Sequence, residues 1–415
     1  MASPPARLRR NREFVALWVG QFLSFLGISV SSFAYPLVVL AATGSPAKAG
    51  LVGAVLASTT FVLRLPAGAL VDRWDRKRLM VVCDLGRALA SGSLALALAL
   101  GRFHLLHVLG IAFVEGSLGV LFGPAESAAV RRVVAPEQRR DAVAWNQSRT
   151  QLGGVIGPPL GGILLTASRA LPFAVDAVSY LLSLLAVLTV RTPLREEPVE
   201  RRDSRAETIE GVRWLWRRPF MRSLLTWLAL CTLAFGAIGL VILVLARDRG
   251  ASSAELGVMF AIMSAGGVAG SFAAPWLLRR LSARAVVLAF GWTCALTMLL
   301  LLPSRSPYMI GALGAAAFFF GPAVTSIVFA TIADEAPDRL QGRVVSGAIQ
   351  ISSLTAPLAP ILGGALLTVT TPGRAVAVYA GYLVALAVAA TFSRSLREHG
   401  ASGAGLLPGP GEERS

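Results

Sequence analysis

Twelve apolar stretches, most of them twenty residues or longer, partition this sequence and leave few folds open. A helix needs ~20 residues to cross the hydrocarbon core of a bilayer, and inside that core only helices and closed barrels satisfy every backbone polar group. The stretches lie near 14–40, 49–71, 79–101, 106–130, 142–167 and 171–190, then near 221–246, 254–278, 284–303, 308–332, 344–369 and 374–392. The chain is 55% hydrophobic and 15% charged, against about half and about a quarter in soluble domains. These facts predict an all-α membrane protein of twelve transmembrane helices. The start, MASPPARLRRNREF, is basic, but the apolar run behind it exceeds the ~7–15-residue core of a cleavable signal and lacks a clear cleavage site.

Loop charges orient the helices. GALVDRWDRKR (68–78), between the second and third stretches, holds six charges within residues 72–78, four of them cationic. Hydrocarbon does not tolerate such a turn, and its sign places it on the cytoplasmic side. The same side collects Arg7, Arg9, Arg10, Arg12, Arg131, Arg132, Arg139 and Arg140, and eight arginines between 191 and 218. Arg279, Arg280, Arg284, Arg339, Arg343, Arg394 and Arg397 complete it, whereas the opposite side has Lys48, Arg102, Arg169, Arg247, Arg249, Arg305 and Arg374. Both termini are therefore expected in the cytoplasm. This asymmetry accounts for the net charge of +16, so nucleic acid is not an expected partner. Cys83, Cys231 and Cys294 all fall inside apolar stretches, which supports neither a disulfide framework nor a metal centre.

The expected organisation is a cytoplasmic segment 1–13, a six-helix half 14–190, a central loop 191–220, a second six-helix half 221–393 and a tail 394–415. In the loop, REEPVERRDSR reads as polar and mobile, and AETIEGVRWLWRRPFMR as a helix along the inner membrane surface. The Gly/Pro-rich tail from Gly400 reads as disordered. The two halves repeat. FGPA occurs at 122–125 and 320–323, APEQRRDAV (135–143) answers APDRLQGRV (336–344), and LGG recurs at 160–162 and 362–364, all at an offset of about 200 residues. Two pseudo-symmetric halves of this kind belong to transporters whose site lies near the midplane.

With GALVDRWDRKR, the GGVIGPPLGG of the fifth stretch (153–162) and the repeated halves, the chain resembles the major facilitator superfamily over nearly its whole length. It is most similar to the twelve-helix bacterial exporters that include macrolide-efflux and enterobactin-export proteins. Two departures stand out. Asp75 occupies a position where the loop motif more often has glycine, and Ala274 stands where an aspartate would fall in the second half.

Gly68 has no side chain, so helix two can approach a neighbour closely there. The resemblance implies that Asp72 faces the N-terminus of helix eleven, whose dipole favours an anion by ~0.3–1 kcal/mol. It implies further that Arg76 pairs with an acid near the inner end of helix four, for which Glu126 is the match. These residues would then form a gate; the alternative is a solvated loop that sets topology alone. In helix five, Gly153, Gly154, Gly157, Gly161 and Gly162 leave one face nearly bare while Pro158 and Pro159 bend the helix. That face either seals a passage in an exporter or is ordinary small-residue packing.

Ionisable residues inside spans are functional candidates. Glu115 lies about nine residues from the outer end of helix four, ~13 Å deep, and is the first choice for proton coupling, with Glu126 and Asp84 behind it. Asp84 and Arg87, one turn apart, can neutralise each other. Arg64 and Arg149 lie in the inner half, and Asp176, close to the outer end of helix six, reads as structural. A cavity walled by helices one, four, seven and ten of the family's fold would draw on Gln21, Ser24, Tyr35, Trp227 and Phe320. Its apolar character suits amphiphilic cargo, although an aromatic run in a span also reads as core or lipid-facing.

The resulting expectation is a monomeric, multi-pass transporter of the bacterial inner (plasma) membrane. It exports amphiphilic small molecules such as drugs or macrolides by proton antiport; a siderophore exporter of the same fold is the alternative, with Arg64 or Arg149 serving an anionic cargo. The chain has no phosphate-binding GxxxxGK[ST] loop, so the proton gradient is the expected energy source and no cofactor is expected. A lipid-acting membrane enzyme is the remote alternative, without an HExxH or GxSxG motif to support it.

Overall fold

The computed structural model describes residues 8–71, 74–194, 204–338 and 340–394, and these contain helices and no strand. Six helices precede the central loop: α1 (Arg12–Thr43), α2 (Pro46–Val71), α3 (Arg76–Ala99), α4 (Leu105–Val133), α5 (Arg139–Ala167) and α6 (Leu171–Thr189). After it come α7 (Ser204–Trp216), α8 (Pro219–Asp248), α9 (Ser253–Arg280), α10 (Ala283–Leu300), α11 (Pro307–Phe319) and α12 (Gly321–Glu335), followed by α13 (Gln341–Ser352), α14 (Ala359–Val369) and α15 (Pro372–Phe392). Among the described residues ten helices are long and apolar enough to cross a membrane, counting α11 and α12 as one. The fifth span falls outside that set because the charge-free part of α5, from Thr150 to Ala167, is diluted by five glycines and two prolines.

The continuous helices expected for spans ten and eleven are each broken. Span ten breaks at Phe320, where Gly321 and Pro322 open α12. Span eleven breaks across 353–358, where Pro357 and Pro360 lack the N–H groups that the carbonyls of Ser353 and Ala356 would accept in a continuous helix. In the first half, Pro124 sits inside an unbroken α4 and Pro158 and Pro159 inside an unbroken α5. The sequence repeat is thus not a repeat of helix continuity.

The chain forms two compact units. The first comprises the described residues of 1–201 together with 251–261, and the second those of 202–250 and 262–415. In the first, α6 packs on α1 and α3, α2 on α4, α5 on α1, and α3 on α4. In the second, α8 packs on α13, α14 and α15, α10 on α15, and α7 on α13. Helix ends are fixed by local chemistry. The Asn11 side chain accepts from Phe14 N at 3.1 Å and donates to Val133 O at 2.9 Å, and Asp75 caps α3 by accepting from Arg78 N at 2.9 Å. The acid at the loop motif's glycine position therefore serves as an N-cap. Lys77 Nζ donates to Leu188 O and Val190 O, placing a cation at the C-terminus of α6, where the helix dipole favours it.

Helix α7 lies where an amphipathic segment is expected. Leu215 is fully buried, Trp216 is exposed, and Arg218 stacks over the Trp214 ring at 3.5 Å. Glu210 pairs with Arg343 and Arg218 with Glu335, both at 2.8 Å, so the segment docks on α12 and α13 of its own unit. Residues 195–203 and the tail from 395 lie outside the described residues.

Candidate functional site

Polar residues recur at i, i+3 and i+7 on two helices of the first unit: Asp84, Arg87 and Ser91 on α3, and Asp176, Ser179 and Ser183 on α6. That spacing gathers side chains on one helix face. The two helices meet antiparallel, so Asp84 lies opposite Ser183 and Ser91 opposite Asp176. Ser183 Oγ donates to Asp84 Oδ2 at 2.6 Å, and the Ser91 hydroxyl is shared between Phe173 O at 3.1 Å and Asp176 Oδ2 at 3.3 Å.

Along the helices the polar groups form three layers. In the innermost, Arg149 of α5 grips Glu126 of α4 through both nitrogens, at 2.6 and 3.2 Å. At the acid matched to Arg76 from sequence, α5 thus packs close enough to deliver a bidentate guanidinium from Arg149, the geometry that suits a carboxylate best. Arg76 itself is buried at the start of α3. In the middle layer Gln21 Nε2 donates to Ser183 Oγ at 2.7 Å, and Arg87 meets Asp84 at 2.5 Å. The Arg87 guanidinium lies between the rings of Phe122 and Tyr180, 4.6 and 4.5 Å from their centroids. In the outer layer Tyr35 of α1 donates its hydroxyl to Glu115 Oε2 at 2.8 Å, and its ring meets Phe173 edge-on. Glu115 and Glu126 are eleven residues apart on α4, so the outer and inner layers are separated by ~16 Å.

The three carboxylates favoured from sequence thus differ in what holds them. Asp84 and Glu126 each touch an arginine; Glu115 touches a tyrosine hydroxyl, and its other oxygen is buried without a hydrogen-bond partner. Of the intramembrane cations, Arg87 and Arg149 are buried and paired, while Arg64 on α2 is exposed. The expected cavity residues are engaged inside their own units. Gln21, Ser24 and Tyr35 are buried in the first. Trp227 is buried in the second, where its indole N–H donates to Leu386 O at 3.1 Å. Phe320 is half-buried at the α11–α12 break, edge-on to Phe319.

The bare face of α5 has defined neighbours. Gly157 lies against Ser29 of α1 with no room for a methyl group, and a Cβ at Gly161 would lie 3.0 Å from Val30 O. Gly162 is pressed against the Ser253 backbone at the start of α9, and Gly257 of α9 against Pro158 O. The proline-glycine stretch therefore packs α1 on one side and the first turns of α9 on the other, all within the first unit. Of the gate residues, Gly68 is helical within α2 but its surroundings are not described, and Asp72 lies outside the described residues.

Sequence reasoning did not bring together Asp176, Ser91 and Ser183. The signal was present as the matching i, i+3, i+7 stripes, but their pairing depends on how α3 and α6 align.

The profile of the family described as the Major Facilitator Superfamily matches residues 17–244 and 228–409. The multidrug efflux pump Tap of Mycolicibacterium fortuitum is 27% identical over 367 residues, 85% of this chain and 87% of that protein. The enterobactin exporter EntS of Shigella boydii serotype 18 is 25% identical over 347 residues, 81% of each. Among solved structures, a bacterial homolog of the human lysosomal transporter Spinster, inward-facing and unoccupied, superposes with a TM-score of 0.68 at 18% identity, covering 96% of each chain. The nucleoside transporter NupG gives 0.71 at 14% identity, over 91% of this chain and 98% of that one. At these identities the structures speak to the fold alone.

Proposed function

The chain belongs to the major facilitator superfamily, and on that premise we propose that this multi-pass membrane transporter is a proton-coupled exporter of amphiphilic small molecules such as drugs or macrolides. It works as a monomer in the bacterial plasma membrane with both termini cytoplasmic, draws on the proton gradient and needs no cofactor. A proton entering down 100 mV releases ~2.3 kcal/mol from the potential alone. The observation that carries the reading is Glu115. It is a buried carboxylate at membrane depth that bonds a neutral hydroxyl, whereas Asp84 and Glu126 are held by arginines. A coupling acid must take up and release its proton in each cycle, and an arginine in contact favours the charged form throughout. The similarity to the efflux pump Tap supports export of drug-like cargo.

The similarity to EntS supports a second reading, a siderophore exporter. Because Arg149 is committed to Glu126, Arg64 is the better placed of the two for an anionic cargo. In either case Gly68, Asp72 and Arg76 act as the inner gate, and the α5 face at Gly157, Pro158, Gly161 and Gly162 packs the passage shut. The test is proton flux in proteoliposomes challenged with a panel of macrolides, cationic dyes and catecholate siderophores. Substrate-dependent flux that is lost in Glu115→Gln is expected. Flux with catecholates alone selects the siderophore reading, and absence of any substrate-dependent flux overturns antiport.

A further inference from the structure

Asp176 takes no part in the function proposed above, yet it is a fully buried acid that no arginine contacts among the described residues. Glu115 is 8% exposed and Asp176 fully buried. Each has one oxygen engaged, Glu115 Oε2 by Tyr35 and Asp176 Oδ2 by Ser91. Each also has one buried oxygen, Glu115 Oε1 and Asp176 Oδ1, without a hydrogen-bond partner. Phe173 joins the two groups: Ser91, which reaches Asp176, also donates to Phe173 O at 3.1 Å, and the Phe173 ring packs edge-on against Tyr35, the partner of Glu115, with centroids 4.9 Å apart.

The ionisable groups beside the pair are Tyr35 from α1, Arg87 from α3 and Tyr180 from α6. From α2, Thr59 packs against Gly116, the residue after Glu115, and brings no charge. Arg87 is the one cation of this group, and its guanidinium is in contact with Asp84. With that pair neutralised, Glu115 and Asp176 share a buried space without a cation of their own. Two like charges in such a place do not both persist.

We propose that Glu115 and Asp176 form a single proton-binding site, in which one proton is held between two carboxyl groups and one negative charge is retained. Asp176 is then half of the coupling site rather than a structural residue, and the site loads and unloads as a unit. Tyr35 and Ser91 are positioning residues: each donates to the oxygen that the shared proton does not need. The proposal rests on the proton-coupled reading above, but proton occupancy can be measured without transport.

The experiment is infrared difference spectroscopy of the purified full-length protein, without substrate, between acidic and alkaline buffers. Wild type is expected to give one protonated-carboxyl band, and Glu115→Gln and Asp176→Asn are each expected to shift its frequency and the pH at which it forms. A band that survives intact in Asp176→Asn overturns the shared site, because independent acids do not depend on each other. Should those variants fold poorly, Ser91→Ala keeps both acids and is expected to shift the band's frequency; an unmoved band overturns the proposal equally. Replacing choline with sodium in the buffer is expected to leave the band unchanged, and its loss on adding sodium overturns proton binding in favour of a metal cation. A shared band in a protein whose substrate flux carries no protons would sink the antiport reading and leave the site standing. Proton-coupled flux with an unshared band would do the reverse.

Discussion

Arg87 is a cation fixed in three directions at once. Asp84 holds one nitrogen at 2.5 Å, and the faces of Phe122 and Tyr180 close above and below. Arg87→Ala strips Asp84 of the cation that contacts it and opens space between two rings, and breaking a buried pair on one side costs about 3–5 kcal/mol. A marked fall in the melting temperature of the detergent-purified protein is expected. Asp84→Asn combined with Arg87→Met removes both charges and retains bulk, so it is expected to recover most of that loss. Equal melting of the single and double variants would show that the pair carries no net electrostatic weight. The three-residue spacing made this contact legible in the sequence. The pair between Glu126 and Arg149 was not legible, because it joins residues 23 apart and depends on the rotation of α5 about its own axis, which an apolar pattern does not encode.

Helix α5 shows how much an element's sequence can tell and where it stops. Its glycines announce close packing, but they do not say which of them are in contact. Gly157 is pressed against Ser29 and Gly153 against the Phe25 ring, whereas Gly154 has nothing within 4 Å of a Cβ position. Gly157→Ala is therefore expected to push α1 and α5 apart, lowering both stability and transport. Gly154→Ala is expected to be harmless or to stabilise by about 0.5–1 kcal/mol through helix propensity. Melting curves and transport assays of the two variants check this. Equal tolerance at both positions would remove the argument for a packed glycine face. The breaks at Phe320 and across 353–358 were hidden for a related reason. Prolines occur in both halves, and α4 and α5 absorb theirs while spans ten and eleven do not. Which outcome prevails depends on the neighbouring helices, such as the Thr355 hydroxyl that donates to Ala229 O at 2.5 Å.

At the scale of the whole molecule, the ten spanning helices among the described residues were legible because bilayer thickness sets a length that loops cannot mimic. The sidedness expected of the chain rests on its arginines, since cationic loops are retained on the cytoplasmic face. The turn at 72–78 and the loops at 131–140 and 191–218 concentrate positive charge, and the loops around Lys48 and Arg102 have little. The expectation can be tested directly, because Cys83, Cys231 and Cys294 are all buried and give little background to a thiol reagent. Lys48, Arg102 and Arg131 are exposed positions at helix ends, and Lys48→Cys, Arg102→Cys and Arg131→Cys each place one reactive thiol there. A membrane-impermeant maleimide applied to intact cells is expected to label the first two and to reach the third only after permeabilisation. The opposite pattern would invert the topology. It would place the turn at 72–78 outside and separate it from any inner gate.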